Sequence, residues 1–234
     1  MKIIVSFPRD LILAAIQGLG RYHESVESQL RSVSYEEKSE IQKRIKSMGW
    51  SREEEIEEWD LAIQSHDMTF NMLLPNFFRY SLLVLLFLVV ENKLGELSRV
   101  AAHKHPASPS PPHPRQNIIG SYERYFTDKI SLSSLNWEII HELNSVRNCI
   151  VHASGKVKGR KDEEQLREIA MKHQGIAISG PKYLYPTYLR PLYLEDDMLM
   201  IEAPYCSRLI DGVYQFFEQL CDELGLGKLK VEDG

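Results

Sequence analysis

The chain has 234 residues, 43% of them hydrophobic, and a formal net charge of -5 at pH 7. This length and apolar content predict one domain with a sizeable core. The acidic balance excludes a strongly basic nucleic-acid-binding coat, although it allows a local basic site. The cysteines, Cys149, Cys206 and Cys221, form neither a CxxC pair nor an even set. This pattern excludes a disulfide-rich secreted scaffold and favours the reducing cytoplasm. No phosphate-binding glycine motif is present, and we expect no cofactor.

Residues 10–48 show helical periodicity throughout. Gly18 and Gly20 weaken this helix without ending it, and Gly49 breaks the pattern. We expect residues 1–50 to form a helical extension that packs on the main bundle or on a partner.

Ser51 and Glu54 have the spacing of a capping box, so a second helix is predicted to begin there and to continue to Leu74. Its first turns carry a cluster of acidic residues: Glu53, Glu54, Glu55, Glu57, Glu58 and Asp60. We interpret this cluster as a solvated helix start, which the helix dipole favours, rather than as a metal site.

Pro75 is predicted to restart the chain as a long helix over residues 77–100. Residues 82–90 are apolar all round, which predicts the central buried helix of a bundle. The apolar run is too short to span a bilayer, and charged residues flank it closely. We therefore expect no membrane contact. The flanking charges are Arg79, Glu91 and Lys93.

Residues 102–116 are rich in proline, which excludes helix and strand and predicts a loop. Three histidines in this loop, with Cys149, raise the question of a metal site. Their spacing matches no recognised ligand pattern, so we predict that no metal is bound. These histidines are His103, His105 and His113.

A short helix is predicted over residues 118–127, and residues 137–155 then form an amphipathic helix. Its apolar face consists of Ile139, Leu143, Val146 and Ile150. Its polar face consists of His141, Asn144, Asn148 and His152. Gly155 follows at the place where a left-handed capping residue is expected.

Arg147 and His152 offer the chemistry of phosphodiester cleavage. A guanidinium binds phosphate and stabilises charge on its oxygens, and an imidazole moves protons near neutral pH. Asn148 lies one helical turn before His152 and points the same way. The alternative is structural, because an Arg and a His near a helix end also cap carbonyls and complement the dipole.

The segment Arg147-Asn148-Cys149-Ile150-Val151-His152 resembles the signature of the HEPN superfamily (higher eukaryotes and prokaryotes nucleotide-binding domain). That signature is an Arg, a polar residue that is often Asn, a short run and a His. The resemblance spans residues 54–155 and, less closely, the last helix. It implies that Arg147 and His152 are the catalytic pair and that Asn148 supports them. Some HEPN toxins carry a Tyr two residues after the His, where a partner enzyme adenylylates it. Ser154 occupies that position here, so such silencing is not expected.

The resemblance also implies the architecture: a mainly α, HEPN-like helical bundle forming one domain. The predicted parts of the whole chain are a helical extension over 1–50, a core with the motif helix over 51–155, an insert over 175–202 and a C-terminal helix over 203–225. The extension and the insert lie outside the resemblance.

A basic run follows the motif directly, and we predict that Lys156, Lys158 and Arg160 contact the RNA backbone. Lys161 belongs to the same run. The alternative is a solvated turn before a helix over residues 162–173.

Residues 175–202 mix tyrosine with proline and glycine, which predicts an extended segment or a β-hairpin, with 198–201 as a paired strand. The tyrosines either stack on bases or, as is more common, cover the core. They are Tyr183, Tyr185, Tyr188 and Tyr193. Residues 203–224 are predicted to close the chain as an amphipathic helix that ends at Gly225.

The resemblance implies a metal-independent endoribonuclease that cleaves RNA through a composite homodimer site and leaves a 2′,3′-cyclic phosphate. Such an enzyme serves as a toxin or phage-defence effector, so an antitoxin or a defence-system protein is the expected partner. The alternative is a catalytically inactive HEPN-like module for dimerisation, regulation or RNA binding.

Overall fold

A computed structural model describes residues 9–104, 110–112, 117–179 and 197–227. The described part is mainly helical, as predicted. Its helices are α1 (Arg9–Ser47), α2 (Arg52–His66), α3 (Leu74–Lys104), α4 (Ile118–Arg124), α5 (Glu138–Ala153), α6 (Glu163–Lys172) and α7 (Ala203–Glu223). Its strands are β1 (Ile176–Ser179) and β2 (Met198–Ile201), and two π-helical segments occupy Asp67–Leu73 and Tyr125–Lys129.

Helix α3 lies at the centre and packs against α1, α5 and α7. Its inward side chains are completely buried and include Leu82, Leu83, Leu86, Val90 and Leu94. Each such side chain contributes about 1.5–3 kcal/mol when it leaves water. The prediction of a central helix over residues 82–90 is confirmed, but the helix is not buried on all sides: Leu85 is 43% exposed and Leu88 is 49% exposed. No described element covers this side of α3, which leaves an apolar stripe open.

The predicted break at Pro75 was also wrong, because the helix runs through it. Asp67–Leu73 is π-helical, and the N–H of Leu74 donates to the carbonyl of Thr69, five residues back. A proline ring lacks an N–H and collides with the carbonyl four residues before it in a regular α-helix. The wider π turn accommodates both features, so the chain continues into α3 without a new start.

The continuous helical stretch from Arg52 to Lys104 is long enough and apolar enough to cross a membrane by composition. The most apolar window within it has a mean hydropathy of 2.0, and 44% of that window is buried inside the protein. The central helix of a bundle has the same composition. The absence of membrane contact therefore stays a prediction.

The described part of the N-terminal extension is α1, which forms a helical hairpin with α2. The first half of α1 packs on the bundle through Ile12 and Ile16, which are completely buried, and its second half pairs with α2. The capping box is confirmed: the N–H of Ser51 donates to Glu54 over 2.9 Å, and the N–H of Glu54 donates to the Ser51 hydroxyl over 3.3 Å. These hydrogen bonds lower the pKa of Glu54. The buried residue of α2 is His66, whose Nε2 lies 2.8 Å from the carbonyl of Ser34.

Strands β1 and β2 pair antiparallel, with Ile176 opposite Ile201, so the predicted strand over 198–201 is confirmed. The four tyrosines singled out in the insert lie outside the described residues. The predicted C-terminal helix is confirmed by α7, and Gly225 follows it with a φ of +61°. The loop was predicted to begin at residue 102, but the first three of its residues belong to α3, which continues to Lys104. Residues 105–109 and 113–116 of this segment lie outside the described residues.

Candidate functional site

The motif helix is α5. Its inward face packs into the core through Ile140, Leu143, Val146 and Cys149, all completely buried. The helix ends at Ser154, which is left-handed with a φ of 51° and donates its N–H to the carbonyl of Cys149. Gly155 follows with a φ of +88°. The left-handed turn therefore begins one residue earlier than predicted, and Gly155 shares in it.

The end of α5 is held by the sheet and by α3. The N–H of Leu199 donates to the carbonyl of Gly155 over 2.9 Å, and the hydroxyl of Tyr80 donates to the carbonyl of Leu199 over 2.6 Å. A Cβ on Gly155 would lie 2.0 Å from that hydroxyl. Only glycine fits there, and these contacts fix the helical turn that carries His152.

Arg147 is partly buried on α5. Its guanidinium carbon lies 4.9 Å from the centroid of the Phe87 ring, and its Nη1 donates to the side-chain oxygen of Asn148 over 2.9 Å. The amide of Asn148 in turn donates to the side chain of Asn144 over 3.3 Å. The Nε of Arg147 is buried and has no hydrogen-bond acceptor among the described residues. Asn148 therefore contacts Arg147 directly, and its supporting role in catalysis stays a prediction.

Arg147 differs from the other partly or fully buried arginines in its partners. Within the described residues, five such arginines each form an ion pair with a carboxylate, and no carboxylate lies within ion-pair distance of Arg147. The five are Arg9, Arg79, Arg160, Arg167 and Arg208. A partly desolvated cation without a counter-ion attracts anions more strongly than an exposed one. Arg147 is therefore suited to bind a phosphate.

His152 is exposed on the last turn of α5. Among the described histidines, it and His103 lie beside no carboxylate, whereas the other four do. Those four are His23, His66, His141 and His173. Five residues of α-helix rotate His152 by about 140° from Arg147 and shift it by about 7.5 Å along the axis. The two side chains therefore diverge within one molecule.

The basic run lies on the turn after α5. Lys156, Lys158 and Lys161 are exposed. Arg160 instead forms two hydrogen bonds, of 2.7 and 2.8 Å, with Asp162, and this contact lowers the pKa of Asp162. Of the three predicted RNA contacts, Lys158 is therefore exposed with its charge towards solvent, Lys156 is also exposed, and Arg160 shares its charge with a carboxylate.

Sequence reasoning missed a polar cluster on the opposite side of α5. Glu142 is 6% exposed and accepts hydrogen bonds from the Tyr205 hydroxyl, over 2.7 Å, and from Arg208. The Nε2 of His173 lies 3.3 Å from its other oxygen. Burial and the neighbouring carboxylate raise the pKa of Tyr205. The available signal was a glutamate directly before Leu143, inside the apolar arc of the helix.

The side chains of Val151 and His152 are exposed at the end of α5, and those of Arg147 and Asn148 are partly exposed. A groove of about 650 Å³ lies between α7 and the start of α5, and its lining includes Asn136, Arg208 and Gln219 but neither Arg147 nor His152.

Among the described residues, no group of three or more His, Cys, Asp or Glu side chains is placed to hold a metal ion. Cys149 is buried within α5, and burial raises the pKa of its thiol to about 11, so this thiol is protonated at neutral pH.

Comparisons of this chain with family models, with characterised proteins and with solved structures returned no match. The interpretation of the motif therefore depends on the spacing of Arg147, Asn148 and His152 and on their contacts.

Proposed function

We propose that this protein is a metal-independent endoribonuclease of the HEPN type, acting as a toxin or phage-defence effector. The observation that carries the proposal is the absence of carboxylates, among the described residues, beside both Arg147 and His152. Within the described residues, each of the other five partly or fully buried arginines pairs with a carboxylate, and four of the other five histidines lie beside one. RNA phosphate supplies the missing negative charge. Such an activity in a cell requires a neutralising antitoxin or a defence-system partner.

In the proposed reaction, Arg147 holds the scissile phosphate and stabilises the charge that develops on its oxygens. His152 acts as a general acid or base, on the 2′-hydroxyl or on the leaving oxygen. The 2′-oxygen forms a bond to phosphorus as the bond from phosphorus to the 5′-oxygen breaks. One proton leaves the 2′-hydroxyl and one is delivered to the 5′-oxygen. The products carry a 2′,3′-cyclic phosphate and a 5′-hydroxyl.

We propose that two copies build the site, because Arg147 and His152 diverge by about 140° within one helix. A two-fold axis beside α5 would bring Arg147 of one copy near His152 of the other. The surface around the motif includes an exposed apolar side chain, because Val151, between Arg147 and His152 in the chain, is 45% exposed. Apolar side chains of this kind favour association.

RNA is the polymer that this surface suits. Lys156, Lys158 and Lys161 are exposed on the turn after His152, where they add to the charge of Arg147. These side chains would neutralise backbone phosphates on either side of the cleaved bond. The 2′-hydroxyl is the nucleophile in the proposed reaction, so DNA would bind without being cut.

A second candidate is an inactive HEPN-like module that serves dimerisation, regulation or RNA binding. It is favoured by the apolar stripe of α3, which supports association whether or not catalysis occurs. The exposed residues of this stripe are Leu74, Phe77, Leu85 and Leu88. Replacing His152 separates the two functions, because the stripe and the turn after α5 remain intact.

Alanine substitutions test the chemistry. Arg147→Ala and His152→Ala should each reduce RNA cleavage at least about 100-fold, since each removes a group that acts on the reacting atoms. His141→Ala is the matched control: this histidine lies on the same helix but pairs with Glu123 over 2.7 Å. Cleavage is measured on single-stranded RNA in EDTA, and folding by circular dichroism. Undiminished cleavage in both variants would reject the assignment. Expression of the wild type, but not of His152→Ala, should arrest growth.

Mixing the two inactive variants tests the composite site. In a mixed dimer, the intact Arg147 of one protomer faces the intact His152 of the other. Random exchange of subunits should therefore restore about a quarter of wild-type cleavage. A site built within one protomer predicts no restoration, and a monomer in sedimentation experiments contradicts the dimer.

A further inference from the structure

The guanidinium of Arg147 has an aromatic neighbour that lies outside the motif. Phe87 belongs to α3, 60 positions earlier in the chain, and its ring centroid lies 4.9 Å from the guanidinium carbon. Phe87 is only 2% exposed, so its ring is held in place by the core. A cation over such a ring face is attracted by the negative charge of the π system.

The remaining contacts of Arg147 determine which atoms are left for a ligand. Its Nη1 donates to Asn148 over 2.9 Å, and its Nε is enclosed. Within the described residues, no contact engages Nη2. A guanidinium that is supported on one face and fixed at one nitrogen loses little freedom when an anion binds, and such preorganisation favours transition-state stabilisation.

We propose that Phe87 is a positioning residue for Arg147: its ring carries the guanidinium and directs the Nη2 edge towards the phosphate. The importance of this role for catalysis rests on the proposed function, whereas the orientation of the guanidinium does not. Phe87 itself touches no reacting atom. The proposal explains how a partly buried arginine is held in place with no acidic partner among the described residues.

Phe87→Leu tests the proposal, because leucine keeps an apolar side chain and removes the π face. Phe217→Leu is the matched control: Phe217 is also completely buried, and within the described residues no cation lies over its ring. Both substitutions should lower the melting temperature by a similar amount. Only Phe87→Leu should slow the cleavage of saturating RNA, by roughly fivefold to thirtyfold.

A second measurement needs no RNA. In nuclear magnetic resonance spectra of arginine-labelled protein, ring current from Phe87 should displace the side-chain signals of Arg147. The displacement should disappear in Phe87→Leu and persist in Phe217→Leu. Unchanged Arg147 signals in Phe87→Leu would overturn the proposal, and so would a loss of cleavage no larger than that in Phe217→Leu. If the wild type cleaves no RNA, the proposed function fails, and the Arg147 signals alone decide whether Phe87 positions the guanidinium.

Discussion

The charged side chains of α5 fall into two groups, one paired within the chain and the other without an acidic partner among the described residues. On the buried side, the carboxylate of Glu142 meets Tyr205, Arg208 and His173, so every charged group has a partner. Arg147 and His152 lie elsewhere on α5, on what we call its open side, where they point about 140° apart and have no acidic partner among the described residues. Both groups of residues therefore lie on the same helix of the same bundle.

This difference separates stability from function. A buried charge is tolerated only when it is paired and hydrogen-bonded, so the contacts of Glu142 serve the fold. Exposed charged groups add little to stability, and we propose that Arg147 and His152 act on RNA instead. The buried cluster should therefore respond to substitution through the unfolding free energy, and the open face through RNA cleavage and RNA binding.

Glu142→Ala should produce the largest stability change in this comparison. It leaves Arg208 and the Tyr205 hydroxyl without their acceptor, which should lower the free energy of unfolding by about 2–4 kcal/mol. The partial exposure of Arg208 places the expected value towards the lower end. Urea denaturation measures the effect. The matched control is Glu138→Ala: Glu138 lies one turn earlier on α5 and forms an exposed pair with Lys172, so its removal should leave the midpoint nearly unchanged.

The same variant can break the comparison. Folded Glu142→Ala should cleave RNA at the wild-type rate, because its partners lie on the side of α5 away from Arg147. Loss of cleavage without loss of folding would place the Glu142 cluster in the functional machinery. The separation between the two sides of the helix would then be wrong.

The motif residues and part of the apolar face of α5 were predictable from the sequence, since Leu143 and Val146 are completely buried, but the partners of Glu142 were not. Arg147, Asn148 and His152 are close in the chain, so helical spacing alone places them on one element. Glu142 depends on Tyr205 and Arg208, more than 60 positions away, and Arg147 depends on Phe87. Local periodicity carries no information about which distant side chains a helix meets. The π turn before Pro75 was missed for a related reason, because proline is usually a helix breaker.

Gly155→Ala should have the next largest effect on the free energy of unfolding. Gly155 directly follows the residue that caps α5. The added Cβ collides with the hydroxyl of Tyr80 and occupies a backbone with a φ of +88°. We expect a loss of roughly 2–3 kcal/mol in unfolding free energy. Gly159→Ala separates the two causes: its φ is +81°, but nothing lies within 4 Å of the added Cβ. It should cost only the backbone strain, about 1 kcal/mol. Equal losses in the two variants would show that the contact with Tyr80 does not hold the helix end.

Asp162→Asn should have the smallest effect on stability, and the effect should depend on pH. Arg160 lowers the pKa of Asp162 in the folded protein. The contribution of this pair to stability is therefore complete above the pKa of about 4 that Asp has in the unfolded chain, and it is lost as pH falls through the lower folded value. At pH 7 the variant should lose at most about 1 kcal/mol. Thermal melts should show this difference closing below about pH 4.

Asp162→Asn should lower stability but strengthen RNA binding. This one substitution therefore tests both the structural and the functional part of the comparison. Removing the carboxylate frees Arg160 to contact the RNA backbone. An additional exposed ion pair is worth ~0.5–1 kcal/mol, so the affinity for RNA should rise roughly two- to fivefold. The slope of log affinity against log salt should steepen by up to about 0.7.

Lys158→Ala should flatten that slope by a similar amount, because Lys158 is exposed, and Arg160→Ala should change it less. Binding is measured with His152→Ala as background, so that the RNA stays intact. A larger effect of Arg160→Ala than of Lys158→Ala would mean that RNA displaces Asp162. In that case a side chain with an acidic partner would belong to the functional face, and pairing within the chain would no longer separate structural cations from functional ones.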